Sequence, residues 1–193
     1  AVLFGLMPRD PVHPVVAGQG NLLAQHIAIY ASPYVAAPAM GFVFYTVTYV
    51  AVLTLLPAAV TPGWAPFIGV FMPLVSITVS LSLGVWLLSK LPAFRLVQAG
   101  FAVAILASLG LWATWGQGAA EAGFALAMAA ALGVVQGASF ASLAQINPCA
   151  EDRARGAGAI AQLGNLGTTT GTPLLAWLLT QCGVNGLAVF LTG

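Results

Sequence analysis

Five stretches of this chain are predominantly apolar for long enough to matter, and short polar or proline-rich segments separate them. They cover about residues 36–58, 65–88, 93–115, 122–146 and 157–180, and "GLAVFLTG" at the end reads as the start of a sixth. Each holds the roughly 20 apolar residues that a helix needs to cross about 30 Å of hydrocarbon. Helices are the expected form, because a spanning segment has to satisfy its own backbone N–H and C=O groups. The alternation of a β-barrel strand is absent. The pattern therefore predicts an all-α integral membrane protein, a polytopic helix bundle over 34–193, preceded by a linker or the end of an earlier helix over 1–33. The opening "AVLFGLMP" resembles the tail of such a helix, so the sequence is expected to be part of a longer one. It shows no signal-peptide pattern.

Composition sharpens this picture. The chain is 60% hydrophobic and 5% charged, against about 25% charged in soluble domains, and its mean hydropathy is +0.99. A net charge of +1 and the lack of a basic patch with interleaved aromatics exclude nucleic acid as a partner. All five basic residues, Arg9, Lys90, Arg95, Arg153 and Arg155, fall on one side of the predicted spans. The opposite loops, "PAAVTPGWAP", "GQGAAEAG" and "QCGVNG", have none. The positive-inside rule makes the basic side cytoplasmic. Cys149 and Cys182 then lie about a membrane thickness apart, too far for a disulfide, which needs Cα atoms within about 7 Å.

The least expected stretch is "QLGNLGTTTGTP" at 162–173, a polar run in the middle of the fifth span. At about 100° per residue, Gly164, Gly167 and Gly171 share one face, and Gln162, Asn165, Thr169 and Thr172 share a face roughly opposite. The glycines suit close approach of a neighbouring helix. The amides and hydroxyls are costly against lipid, so they are expected to face other helices or a water-filled cavity. Threonine hydroxyls can also bond carbonyls of their own helix. Pro173 is expected to kink or loosen this helix, since it lacks an amide donor.

Other intramembrane polar positions are few. Tyr45, Thr48 and Tyr49 share a face of the first span by i+3 and i+4 spacing. The fourth span has Gln136 and Ser139 on one face and Gly133 and Gly137 on another. Ser76, Thr78, Ser80 and Ser82 divide between two faces of the second, as in helix packing. The third has only Ser108 in its middle and is expected to face lipid. Candidate binding residues are therefore Tyr45, Tyr49, Gln136, Gln162, Asn165 and Thr169, each with interhelical hydrogen bonding as the alternative. No carboxylate is placed deep in a span. Glu121 is expected near the outer end of the fourth, and Asp10, Glu151 and Asp152 are cytoplasmic. His13 and His26 precede the first span, in an interfacial position.

With these residues in view, the chain resembles the C-terminal half, helices 7–12, of the major facilitator superfamily. "LGVVQGASFASLAQINPCAEDRARGAGAIAQLGNLGTTTGTPLLA" is similar to that family's tenth helix, cytoplasmic loop and eleventh helix. Gly133, Gly137 and Phe140 match the tenth helix, Arg155-Gly156 the loop, and Gly164, Gly167 and Gly171 the eleventh. Its Gly-Pro step is here Gly171-Thr172-Pro173. "GVWLLSKLPAFR" is similar to a degraded copy of the family's Gly-x-x-x-Asp-Arg loop, with Gly84 present and Leu88 at the acidic position. The resemblance implies three helices repeated twice, a substrate site near the midplane between two halves, and alternating access. It implies a secondary carrier of a small solute in a bacterial inner membrane. Its partners would be the substrate, lipid, and an N-terminal half or second subunit.

Rival classes are weaker. "NPC" at 147–149 resembles the Asn-Pro-Ala of water channels, but it occurs once and the charged "AEDRAR" follows, so Asn147 and Pro148 are read as ending a helix. "GASF" at 137–140 places a serine between small residues, but no histidine follows position 26 to activate it. No His/Cys/Asp/Glu cluster or phosphate loop is present, so neither an enzyme, a cofactor nor a metal is expected. A transporter fold serving only as a membrane scaffold is the remaining alternative.

Overall fold

The computed structural model describes residues 21–192; Arg9, Asp10 and His13 lie outside them. The described residues form helices with no strand. A short α1, Leu22–Ala31, starts at Asn21, whose side chain accepts from Leu23 N at 3.1 Å. The segment expected as a linker is thus helical from residue 22. It breaks at Ser32, because Pro33 follows, and a proline disfavours helical backbone in the residue before it.

Four long apolar helices come next: α2 (Pro33–Ala59), α3 (Ala65–Leu88), α4 (Ala93–Ala113) and α5 (Ala119–Ile146), each long and apolar enough to cross a membrane. This makes the chain an integral membrane protein. The fifth predicted span belongs to α6, Ala150–Cys182, of 33 residues. It is about 50 Å long at about 1.5 Å per residue, but it falls outside that apolar set because its polar run and charged first turns dilute it. It continues through Pro173 as one helix. Gly183, at φ 56, turns the chain into α7, Val184–Thr192.

Two glycine seams organise the bundle. On α6 the buried residues are Gly156, Ala159, Ile160, Gly164, Gly167, Gly171 and Leu175, a spacing mostly of three and four that makes one narrow stripe. This stripe lies along α2. A Cβ on Gly164 would meet the Phe42 ring at 3.0 Å, one on Gly167 would meet Val43 O at 2.7 Å, and one on Gly171 would fall onto the Val47 carbonyl. The numbers rise together, so α2 and α6 run parallel with their backbones almost touching. The second seam joins α5 to α3. Gly133 is pressed on the backbone of Ser76, and a Cβ on Gly137 would meet Ser80 Oγ at 3.0 Å. This pair is parallel too. Just past it α3 widens into a π turn, Ser80–Gly84.

The two seams are reciprocal. If α2, α3 and α4 are one triplet and α5, α6 and α7 another, the first helix of each lies on the second helix of the other. The third helix, α4, packs antiparallel on α5. Its buried positions Leu96, Gly100, Ala104, Ala107 and Leu111 repeat every three or four residues, and Gly100 is filled against by Val135 and Gly110 by Phe124. Its other face exposes Phe94, Val103, Ile105, Leu106 and Leu109, while Trp112 Nε1 donates to Asn185 Oδ1 of α7 at 3.1 Å. A helix apolar on all sides, with one side packed, fits the lipid-facing position expected of it. Ser108 is buried and bonds Ala104 O at 2.7 Å.

Side-chain hydrogen bonds fix both ends of α5. At its C-terminal end Gln145 Oε1 accepts from Ala93 N at 2.8 Å, and Asn147, which ends the helix as expected, donates from Nδ2 to Tyr34 O at 3.0 Å. Arg153 Nη1 donates to Asn147 O at 3.2 Å and Pro148 O at 2.7 Å, so a cation covers carbonyls at the end of the α5 dipole.

Two expectations follow. Gly171→Ala should lower stability by about 1–3 kcal/mol through overpacking, whereas Gly158→Ala, with nothing within 4 Å of its Cβ, should leave it unchanged. Denaturation of the purified protein in detergent compares the two. Cys149 and Cys182 are both free and exposed, at opposite ends of α6. An impermeant thiol reagent added to intact cells should modify Cys182 and spare Cys149 until the membrane is opened. The reverse pattern would invert the orientation drawn from the basic loops.

Candidate solute-binding face

The polar run lies on the outer surface of the bundle. With the glycine stripe turned to α2, Gln162, Asn165 and Thr169 are exposed and Thr172 is half-buried. Most of the run's hydrogen-bonding capacity is already committed. Thr168, Thr169 and Thr170 donate to Gly164 O, Asn165 O and Leu166 O at 3.0, 2.8 and 2.8 Å. Thr169 thus has its hydroxyl proton engaged by its own helix. The Gln162 amide is held by α1: its Oε1 accepts from Tyr30 Oη at 2.9 Å, and its Nε2 lies 3.4 Å from His26 Nε2. Asn165 differs from them, having no side-chain partner among the described residues.

Asn165 borders a slot of about 210 Å³ between α5 and α6, floored by Phe42 and Thr46 of α2 and walled by Phe140. Phe140 is 49% exposed. It meets Phe42 edge to face at 5.2 Å, Phe42 lies 5.1 Å from Tyr45, and Tyr45 stacks on Tyr49 at 5.2 Å and 16°. These are favourable centroid separations for aromatic pairs, and they make a continuous ladder from the slot into the core. Tyr45 is buried and its hydroxyl has no partner among the described residues. Tyr49 is half-buried. Gln136 is also half-buried, one turn before Phe140 on α5 and without a side-chain hydrogen bond among the described residues.

The structure thus groups Tyr45, Tyr49 and Asn165 around rings that sequence reasoning did not select as site residues. It assigns Gln162 to α1 and Thr169 to its own backbone. Thr48 parts from Tyr45 and Tyr49: it lines an apolar groove of about 610 Å³ with Gly41, Phe44, Phe101 and Leu174. Three-residue spacing leaves about 60° between side chains, enough for neighbouring helices to claim them separately. Phe42 and Phe140 were detectable in principle, three residues before Tyr45 and four after Gln136.

Glu121 requires a correction. Expected near a solvated end, it is 0% exposed. The helix starts at Ala119, earlier than hydropathy suggested, which sets Glu121 in its first turn. There the 60–64 turn folds over it. Thr61 donates to Oε2 from N at 3.3 Å and from Oγ at 2.8 Å, while Oε1 has no partner among the described residues. No described Lys, Arg or His forms an ion pair with it. The other acids among the described residues, Glu151 and Asp152, pair with Arg155 at 2.6 and 3.6 Å at the opposite end of the bundle. Among the described residues no group of three or more His, Cys, Asp or Glu could hold a metal.

No protein-family model, curated protein or solved structure matches this chain. What it does therefore has to be argued from its own residues.

Glu121→Gln keeps an acceptor for Thr61 and should stay within about 1 kcal/mol of the parent. Glu121→Leu strands the two Thr61 donors and should cost about 1–3 kcal/mol. Equal losses in detergent denaturation would show that the contact with Thr61 contributes nothing.

Proposed function

We propose that this chain is one half of a secondary active carrier for a small solute, of the major facilitator type, with its solute face on α2, α5 and α6. The observation that carries the reading is the exposure, on the side of α6 turned away from α2, of the Asn165 amide C=O and NH2 groups, which have no partner among the described residues. Lipid is a poor neighbour for such groups, so water, a solute or another protein segment has to cover them. The reciprocal seams support the reading as well, since two triplets in mutual exchange are what an internal three-helix repeat produces. The lipid-like outer face of α4 fits a peripheral third helix.

In this reading a second half closes over the slot, and rocking of one half on the other opens it to alternate sides. Recognition in this half falls to Asn165, Gln136 and the aromatic ladder. Tyr45 and Tyr49 support the wall from behind.

Proteoliposomes made from the protein purified from its native membrane together with its second half, and loaded with an isotope-labelled extract of soluble metabolites, test this by counterflow, read by mass spectrometry. At least one solute should exchange saturably. Asn165→Ala should slow that exchange by about tenfold, the equivalent of one hydrogen bond of about 1.4 kcal/mol. Flux linear in concentration would mean a channel, and no flux a scaffold.

A further inference from the structure

The slot beside Asn165 has a shape and a chemistry that narrow the solute. Along α6 it is bounded by Ala157, Ala161 and Gly164, which project a methyl group or less, together with Ile160, Thr168 and Asn165. The opposite wall is the half-exposed Phe140 ring, itself held edge-on by Phe42. The exposed ring face favours a planar guest, which can adopt against Phe140 the offset or edge-on geometry that aromatic pairs prefer. A volume of about 210 Å³ is small beside the roughly 300–1,000 Å³ of whole ligand sites, which suits one ring rather than a whole larger solute.

The polar equipment is equally restricted. Thr168 spends its hydroxyl proton on Gly164 O and Thr46 on the carbonyls of Phe42 and Val43, which leaves the Asn165 amide as the side-chain donor facing the guest. None of the described ionisable side chains lines the slot. A charged group entering it would lose water with no counter-charge in return, at a cost of several kcal/mol.

We infer that the slot between α5 and α6 binds the planar ring of an uncharged solute, stacked on Phe140 and hydrogen-bonded through a hydroxyl or amide to Asn165. This deepens the carrier reading and rests on it.

Three probes with one ring and different charge test the inference: tyrosol (neutral), tyramine (cationic) and 4-hydroxyphenylacetate (anionic). Reporter cysteines at Ala157→Cys and Ala161→Cys, separately, are introduced into the full protein with Cys149→Ser and Cys182→Ser. A polar maleimide is applied to membranes with and without probe. Both reporters should be modified. Tyrosol should slow modification by about tenfold at roughly ten times its dissociation constant, and the charged probes should not. Phe140→Leu, which keeps apolar bulk and removes the ring, should abolish that protection. Modification without protection by tyrosol, or equal protection by a charged probe, overturns the inference and leaves the carrier reading standing. Reporters that never react mean that another helix seals the face, and both readings fall together.

Discussion

Close contact between backbones is the constraint on which the bundle depends. Between helices in lipid the hydrophobic effect offers little, and dispersion between closely packed surfaces has to take its place. Here Gly164, Gly167 and Gly171 let α6 settle on α2, and Gly133 lets α5 settle on α3. Everything polar is arranged by that choice. Once the small residues of α6 are turned inward, its amides and hydroxyls have no option but the outer side. The threonines then satisfy themselves on their own carbonyls, α1 folds over Gln162, and Asn165 is left facing the slot.

The second level of order is the fixing of α5 at both ends. Thr61 reaches Glu121 at one end, and Gln145 and Asn147 reach Ala93 N and Tyr34 O at the other. These bonds join α5 to loops and helix starts of the first triplet, so the two triplets are connected by specific polar contacts in addition to packing. In the proposed carrier reading, a half that rocks as one body needs such internal stiffness. An aromatic ladder from Phe140 to Tyr49 adds to it along the face where solute would arrive.

Much of the fold was legible in the sequence because it depends on local period and hydropathy. The glycine face of residues 164–171, the exposed apolar face of the third span and the separation of the two cysteines all follow from spacing and hydropathy along the chain. The less legible parts depend on partners distant in sequence. Glu121 could not be recognised as buried until the 60–64 turn was seen to fold over it. Gln162 looked free because α1 lay in a segment read as linker. Thr48 was grouped with the tyrosines on an angular difference small enough for another helix to separate them. At the candidate site, Tyr45, Tyr49 and Asn165 were selected for polarity in an apolar setting. Phe42 and Phe140 carry no such mark in a chain this rich in aromatics.

The parallel seam also imposes an order in time. Its two sides are far apart in the chain: Tyr34 at the start of α2 and Asn147 just before α6 are 113 residues apart. At about 5–20 residues per second, synthesis of that interval takes on the order of ten seconds. Throughout it α2 stands in the bilayer with Thr46 and the Tyr45 hydroxyl lacking the neighbours that later enclose them. Thr46 meanwhile has the carbonyls of Phe42 and Val43 as acceptors, at 3.2 and 3.0 Å. The same local bond that makes threonine unremarkable in the finished bundle keeps the waiting helix tolerable to lipid until its partner arrives.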